Sequence, residues 1–282
     1  MALRVRRAVQ VHIRRLRAWQ QLRQWQARPD RVFTVTHPSD LLTWIVAALN
    51  RLGPDRVVFI DVGAARGDVL HALTRDAGLV PPVYSIGIDP IDVRAAGDYT
   101  TFLATAVSNG DEGPVRFFHQ ESADCSSLKR LIPSRVVYDR SLVDGIRYYA
   151  GHQIHRTLET LVVPGTRLST IIRQSRLTDD IVHFLKIDAQ GSDLDVFLSL
   201  DTFTPNCLFV QIETVYSNIP NDRERCLYEG QSTFVEDRAA LEAAGFRLLG
   251  IYPFGVTPEA DVLFVNMPLF NRLFTFTNNK SA

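Results

Sequence analysis

Four acids in this sequence stand where apolar runs end. Val57-Val58-Phe59-Ile60 leads into Asp61, Val83–Ile88 into Asp89, "IVHFLKI" into Asp188, and "CLFVQI" into Glu213. Short apolar runs without polar alternation read as strands buried on both faces of a parallel sheet. In an open α/β sheet, ligands bind beyond the carboxyl ends of such strands, where the strand order reverses. The four acids therefore share one edge. Asp61 is followed by a turn, Gly63-Ala64-Ala65-Arg66-Gly67, whose glycines let backbone approach a ligand without an intervening Cβ.

The acids sort by the chemistry they suit. Asp89, at the end of the second strand, is placed to accept hydrogen bonds from two ribose hydroxyls. A dinucleotide site calls for G-x-G-x-x-G with a pyrophosphate on a helix N-terminus. Here Asp61 takes the place of the first glycine, and a carboxylate there repels a pyrophosphate. It suits a cationic amino group instead. S-adenosylmethionine carries both an amino group and a ribose. On this reading Asp61, Gly63, Ala65 and Gly67 hold its methionine part, Asp89 its ribose, and Ser108 and Asn109 its adenine side. Methyl transfer is an in-line displacement, so positioning dominates, and a general base assists a hydroxyl acceptor. Asp188 and Glu213 are the two candidate bases, and two acids so close push one pKa towards neutrality. The alternative is that Asp188 only orients a reactant by hydrogen bonds. Gln190, Tyr216 and Tyr228 are assigned to the acceptor side. Lys186 is expected to point away from Asp188 and to pair with a buried acid.

The histidines suggest no metal. His152 and His155 share a helical spacing with Tyr148 and read as a polar lid surface, while His183 reads as structural. The cysteines Cys125, Cys207 and Cys226 fit neither a disulfide framework nor a zinc spacing, which points to a reducing, cytoplasmic setting. Two other functions stay open at this point. One is a dinucleotide-dependent oxidoreductase, and the other a non-catalytic interaction protein on a cofactor fold.

The elements that must position these residues alternate between helix and strand. A helix is expected over 40–52, capped by Ser39 or Asp40 and stopped at Gly53-Pro54. Strands are expected at 57–62, 83–88, 102–107, 115–119, 181–187, 207–214, 246–252 and 262–266, with helices from 69, at 193–200 and at 234–244. This predicts an α/β fold, a Rossmann-like doubly wound and mostly parallel sheet. The last two strands have no helix between them and predict an antiparallel C-terminal strand at the edge. Residues 31–282 form the main domain, and the aperiodic stretch at about 130–165 reads as an insertion covering the site.

Of the 282 residues, 46% are hydrophobic, enough for a large core. No apolar run approaches the roughly 18 residues needed to span a bilayer. Residues 1–30 hold eight arginines and one acid, leaving 23 basic and 30 acidic residues in the rest of a chain with 31 of each. Val5, Val9, Ile13, Leu16 and Trp19 recur at helical spacing in this basic segment. Two readings of it stand: a helix on an anionic membrane at the inner face, with Trp19 and Trp25 at the interface, or a helix packed on the body or on a second subunit. Nucleic acid is not expected.

Four stretches together resemble the FkbM family of class I S-adenosylmethionine-dependent methyltransferases. "FIDVGAARGD" resembles its first cofactor motif and "IGIDP" its ribose-binding strand end. "HFLKIDAQGSDLDVF" resembles its most diagnostic segment, and "VQIETV", "LYEGQSTF", "AAGFRLLGI" and "DVLFVN" follow its C-terminal order. The resemblance spans roughly residues 56–267 and implies O-methylation of a saccharide, glycolipid or natural-product hydroxyl. Gln190 departs from it, standing where many members have Glu.

Overall fold

The computed structural model describes residues 2–91, 96–120, 125–132, 157–216, 223–254 and 258–278, with the side chains of 2–9 and 275–278 left aside. The lid reading of Tyr148, His152 and His155 falls outside these residues.

Eight strands make the main sheet, in the order β1-β10-β11-β9-β8-β2-β3-β4. They are β1 (Phe33–Thr34), β2 (Val57–Val62), β3 (Val83–Ile88), β4 (Thr101–Leu103), β8 (Val182–Ile187), β9 (Cys207–Val215), β10 (Phe246–Pro253) and β11 (Glu259–Asn266). Every neighbouring pair is parallel except the two made by β11. The antiparallel strand is thus inside the sheet, between β9 and β10, and not at the edge the sequence suggested. The chain runs outward from β2 through β3 to β4, then resumes on the other side with β8. The order therefore reverses between β2 and β8.

The expected third strand is two strands. β4 ends at Leu103, and β5 (Ala106–Val107) joins a separate sheet of order β5-β7-β6, with β6 at Gly113–Gln120 and β7 at Thr157–Thr166. Part of the expected insertion is thus a regular ten-residue strand, β7.

Helices cover both faces. On one lie α1 (Ala2–Ala27), α2 (Pro38–Leu52), α3 (Asp68–His71, continued by a wider turn to Asp76) and α7 (Met267–Asn278), packed on Phe59, Phe184 and Phe209. On the other lie α4 (Leu168–Gln174), α5 (Asp193–Leu198) and α6 (Phe234–Ala243), packed on Ile60, Leu185 and Val210. The cap of α2 is His37, whose ring nitrogen accepts from the Ser39 amide, and Pro38 opens the first turn. α7 has no counterpart in the sequence reading, which closed the chain with strands.

α1 is not a free arm. Ala18, Leu22 and Trp25 are buried in the main core, a different stripe from the expected Val5–Trp19 one; Ile13 and Leu16 face solvent. The Arg15 guanidinium donates to the Gly78 carbonyl at 2.9 Å, and the Trp44 indole donates to Gln21 at 2.9 Å. Trp19 packs on Phe274 and Trp25 meets Phe270 edge-on. Trp25 is wholly buried and so is not at a membrane interface, and Trp19 is half-buried. No helix among the described residues is long and apolar enough to cross a membrane.

Two outcomes follow from this packing. Trp25→Ala should cost about 3–5 kcal/mol in denaturant unfolding; a cost below 1 kcal/mol would mean α1 is not docked. His183 is buried on β8 and its Nδ1 accepts from the Val58 amide at 3.1 Å. Burial pushes its pKa down to about 4 from 6.5. The unfolded chain binds the extra proton between those values, so stability should fall as pH drops from 6.5 towards 4, by up to roughly 3 kcal/mol. His183→Gln, which keeps an acceptor and cannot titrate, should flatten that slope in acid-unfolding curves.

Candidate functional site

Alternate residues of a strand share a face. On β2 one such set is Phe59, Asp61 and Gly63, the last just past the strand; on β8 it is Phe184, Lys186 and Asp188; on β9 it is Phe209, Gln211 and Glu213. The strands are in register, with Asp61 opposite Lys186 and Lys186 opposite Gln211. One face is therefore aromatic at the amino ends of the strands, where Phe59 stacks on Phe184 at 5.1 Å. It turns polar at the carboxyl ends, at the point where the strand order reverses.

The expectation for Lys186 needs correcting. Lys186 and Asp188 are two residues apart and so lie on the same face. The Lys186 ammonium is 3.3 Å from Asp188 Oδ2 and 3.4 Å from Asp61 Oδ1, and it donates to the Gly63 carbonyl at 3.0 Å. The buried acid it was expected to pair with is Asp61.

Asp61 itself is 1% exposed. Its Oδ2 accepts from the Tyr99 hydroxyl at 2.6 Å. Burial raises its pKa, while Lys186 and Tyr99 pull it down. The Asp61 carboxylate is enclosed between Tyr99 and Lys186. It anchors Lys186. Tyr99 reaches it by lying over Gly87, opposite Asp61 on β3, where a Cβ would come within 2.7 Å of the tyrosine ring. Neither residue was singled out from the sequence. A glycine inside an otherwise apolar strand was the available signal.

The glycine turn also differs in purpose from the expectation. Gly63 has φ +74°, and a Cβ there would stand 2.0 Å from the Asp188 carbonyl oxygen. It makes room for the neighbouring backbone, not for a ligand. The Gly63 and Ala64 amides both donate to the Ile88 carbonyl, at 2.9 and 3.1 Å, which seats the turn beside Asp89. Ala65 has φ +36° and Gly67 φ +72°; the Gly67 amide donates to the Ala64 carbonyl at 2.7 Å and Gly67 starts α3. Asp89 Oδ1 accepts from the Ile91 amide at 3.0 Å. Ser108 and Asn109 follow β5 in the small sheet, not the third strand of the main sheet. Their recorded bonds run to Gly110, Thr166 and Arg167. The adenine-side assignment therefore loses its structural premise.

On the acceptor side, Gln190 is the hub. Its amide donates to Asp188 Oδ1 at 2.8 Å and to Glu213 Oε1 at 3.4 Å, and its carbonyl accepts from the Tyr228 hydroxyl at 2.8 Å. Gln190 has φ +50°, and its backbone carbonyl accepts from Ser127. Gly191 leaves room for the Tyr228 ring, which a Cβ would approach to 2.8 Å. Asp193, also absent from the sequence assignments, holds this turn by accepting from the Ala189 and Gly191 amides at 3.1 and 3.0 Å. Glu213 has its pKa raised well above the usual value by burial first and by the nearby Asp188 charge second. Asp188 keeps a third of its side chain exposed. Tyr216 is elsewhere: it packs edge-on against Phe234 on the opposite face. Among the described residues no group of His, Cys, Asp and Glu is placed to hold a metal ion.

Gly63→Ala should abolish soluble expression or lower stability by more than 4 kcal/mol, because carbonyl and methyl cannot share that space. Gly53→Ala is the control. Gly53 has a similar φ of +60° with nothing near its missing Cβ, so thermal unfolding should register only a loss on the order of 1 kcal/mol there.

The sequence model of the methyltransferase FkbM domain matches residues 61–248. Solved structures give only distant likenesses. One is the 1,6-didemethyltoxoflavin-N1-methyltransferase of Burkholderia thailandensis, with 1,6-didemethyltoxoflavin and S-adenosylhomocysteine bound; it is 13% identical over 81% of this chain and 79% of that one, with a TM-score of 0.36. Another is the mitomycin 7-O-methyltransferase MmcR, 15% identical over 89% and 68% of the two chains, with a TM-score of 0.34. No curated protein matches the chain.

Proposed function

The chain belongs to the FkbM methyltransferase domain family, and from that premise we propose that it transfers a methyl group from S-adenosylmethionine to a hydroxyl of a saccharide, glycolipid or natural product. The observation that carries the O-methyl part is the unequal setting of the two acids at the acceptor side. Burial first and the Asp188 charge second push the pKa of Glu213 up. Asp188 has an ammonium at 3.3 Å and an amide N–H at 2.8 Å, both of which stabilise negative charge on it. One carboxylate is thus equipped as a base and the other as a neutral neighbour.

The residues present fit the cofactor. The Gly63–Gly67 turn and Asp89 are seated side by side through the Ile88 carbonyl, which suits a ligand with a methionine part next to a ribose. Asp61 and Asp188 share one ammonium between them, an imbalance that suits a ligand with net positive charge. When bound, the cofactor supplies an electrophilic methyl group on a sulfonium.

Asp188 receives the acceptor's hydroxyl proton on an oxygen that solvent can reach. Gln190 keeps that carboxylate turned towards the acceptor, and Tyr228 fixes the orientation of the Gln190 amide so that its N–H groups, and not its carbonyl, face the acids. A glutamate at 190 would bring a third carboxylate to the same point. Family membership leaves the dinucleotide oxidoreductase reading without support.

The test is labelled methyl transfer to a panel of sugars and polyhydroxylated natural products. With the acceptor so found, Asp188→Asn should lower kcat by about 10²–10⁴, with S-adenosylhomocysteine affinity within a few-fold of wild type. Glu213→Gln, which mimics the neutral acid, should stay within about tenfold in kcat. Equal losses in both variants would overturn the assignment of the base, and labelling of nitrogen acceptors only would overturn O-methylation.

A further inference from the structure

Lys186 has no chemical role among the sequence expectations, and its surroundings point to one. Its ammonium is buried at the point where the strand order reverses, within reach of three groups from three parts of the chain: Asp61 on β2, the Gly63 carbonyl in the glycine turn, and Asp188 past β8. The first two belong to the cofactor side and the third to the acceptor side. Resting on the methyltransferase reading above, we propose that Lys186 is the positioning residue that ties the two halves of the site together and holds Asp188 as a charged base.

The geometry leaves little else for it to do. An ammonium has three protons, and three acceptors converge on it. Its burial is costly unless it is paired, and the costs are met by two carboxylates and a carbonyl. Asp61, enclosed by Tyr99 and Lys186, is then the counter-charge that keeps the ammonium in place. Asp188 is the partner with an exposed side. A movement of Lys186 would displace the glycine turn and the base together, so cofactor and acceptor are kept in one frame. Among the described residues, the other titratable groups that interact with Asp188 are Asp61 from β2, Glu213 from β9, Asp261 from β11, Asp193 from α5 and Tyr228. Four of the five are carboxylic acids. Lys186 offsets them.

The variant that isolates this role is Lys186→Met combined with Asp61→Asn, which removes both members of the buried pair and leaves only Asp188, a third of whose side chain is exposed, without its partner. It should melt cooperatively and bind S-adenosylhomocysteine within about tenfold of wild type by calorimetry. Its kcat should fall at least 30-fold with little change in KM for the acceptor. A kcat within threefold of wild type would overturn the proposal. Lys186→Arg serves where the double variant does not fold. It keeps the charge and cannot place one compact group against three acceptors, so kcat should fall at least tenfold; an unchanged kcat overturns the proposal as well. Failure of the wild type itself to bind S-adenosylhomocysteine would count against the methyltransferase reading and not against the role of Lys186 within it.

Discussion

The carbonyl oxygen of Asp188 occupies the place where a side chain at position 63 would stand, and the site depends on that close approach. β2 and β8 leave the sheet side by side at the point where strand order reverses. Their outgoing turns cross at backbone distance because Gly63 has no Cβ. This brings the base candidate, the turn that follows the first strand, and the ammonium that bonds both into one small volume. The same absence of side chains recurs at Gly87 under Tyr99 and at Gly191 under Tyr228. In each case a missing Cβ admits a neighbouring group of the protein itself.

The polar cluster built on this crossing is organised by charge. A row of aromatic residues supports it from the amino ends of the strands, where Phe59, Phe184 and Phe209 are fully buried. Above them Asp61, Lys186 and Gln211 form a polar row, and above that lie Asp188 and Glu213, both partly buried. Burial grades along the row: Asp61 is enclosed, while Asp188 is partly open. The enclosed acid stabilises the lysine and the lysine stabilises charge on the open acid. Methyl transfer needs little from a protein beyond placement and a proton acceptor, and the proposed reading assigns both to this cluster.

Much of this was legible in the sequence, and the rest was not for physical reasons. β2 and β3 fall at the expected 57–62 and 83–88, because the breakers Gly53-Pro54 and Pro81-Pro82 stand just before them. The acids at the strand ends were found because each closes an apolar run. The direction of contact was less readable. Nothing in "VVFIDVGAARGD" says that Gly63 yields to backbone and not to a ligand, since either approach demands glycine. Asp61 was read as a ligand contact because its partner Tyr99 comes from a turn 38 residues away. The split of the third strand into β4 and β5 follows pairing with β7, which lies about 60 residues further on. The face of α1 that docks is set by α2 and α7, so its outward Ile13 and Leu16 looked as good a core stripe as Ala18, Leu22 and Trp25.

The central claim is that this carboxyl edge binds S-adenosylmethionine with Asp89 at the ribose. It is tested most directly by isothermal titration calorimetry with S-adenosylhomocysteine, in parallel with NADH, on wild type and Asp89→Ala. Micromolar binding of S-adenosylhomocysteine to the wild type, lost or greatly weakened in the variant, with no heat from NADH, is the predicted result. Tight NADH binding with none of S-adenosylhomocysteine would contradict the account.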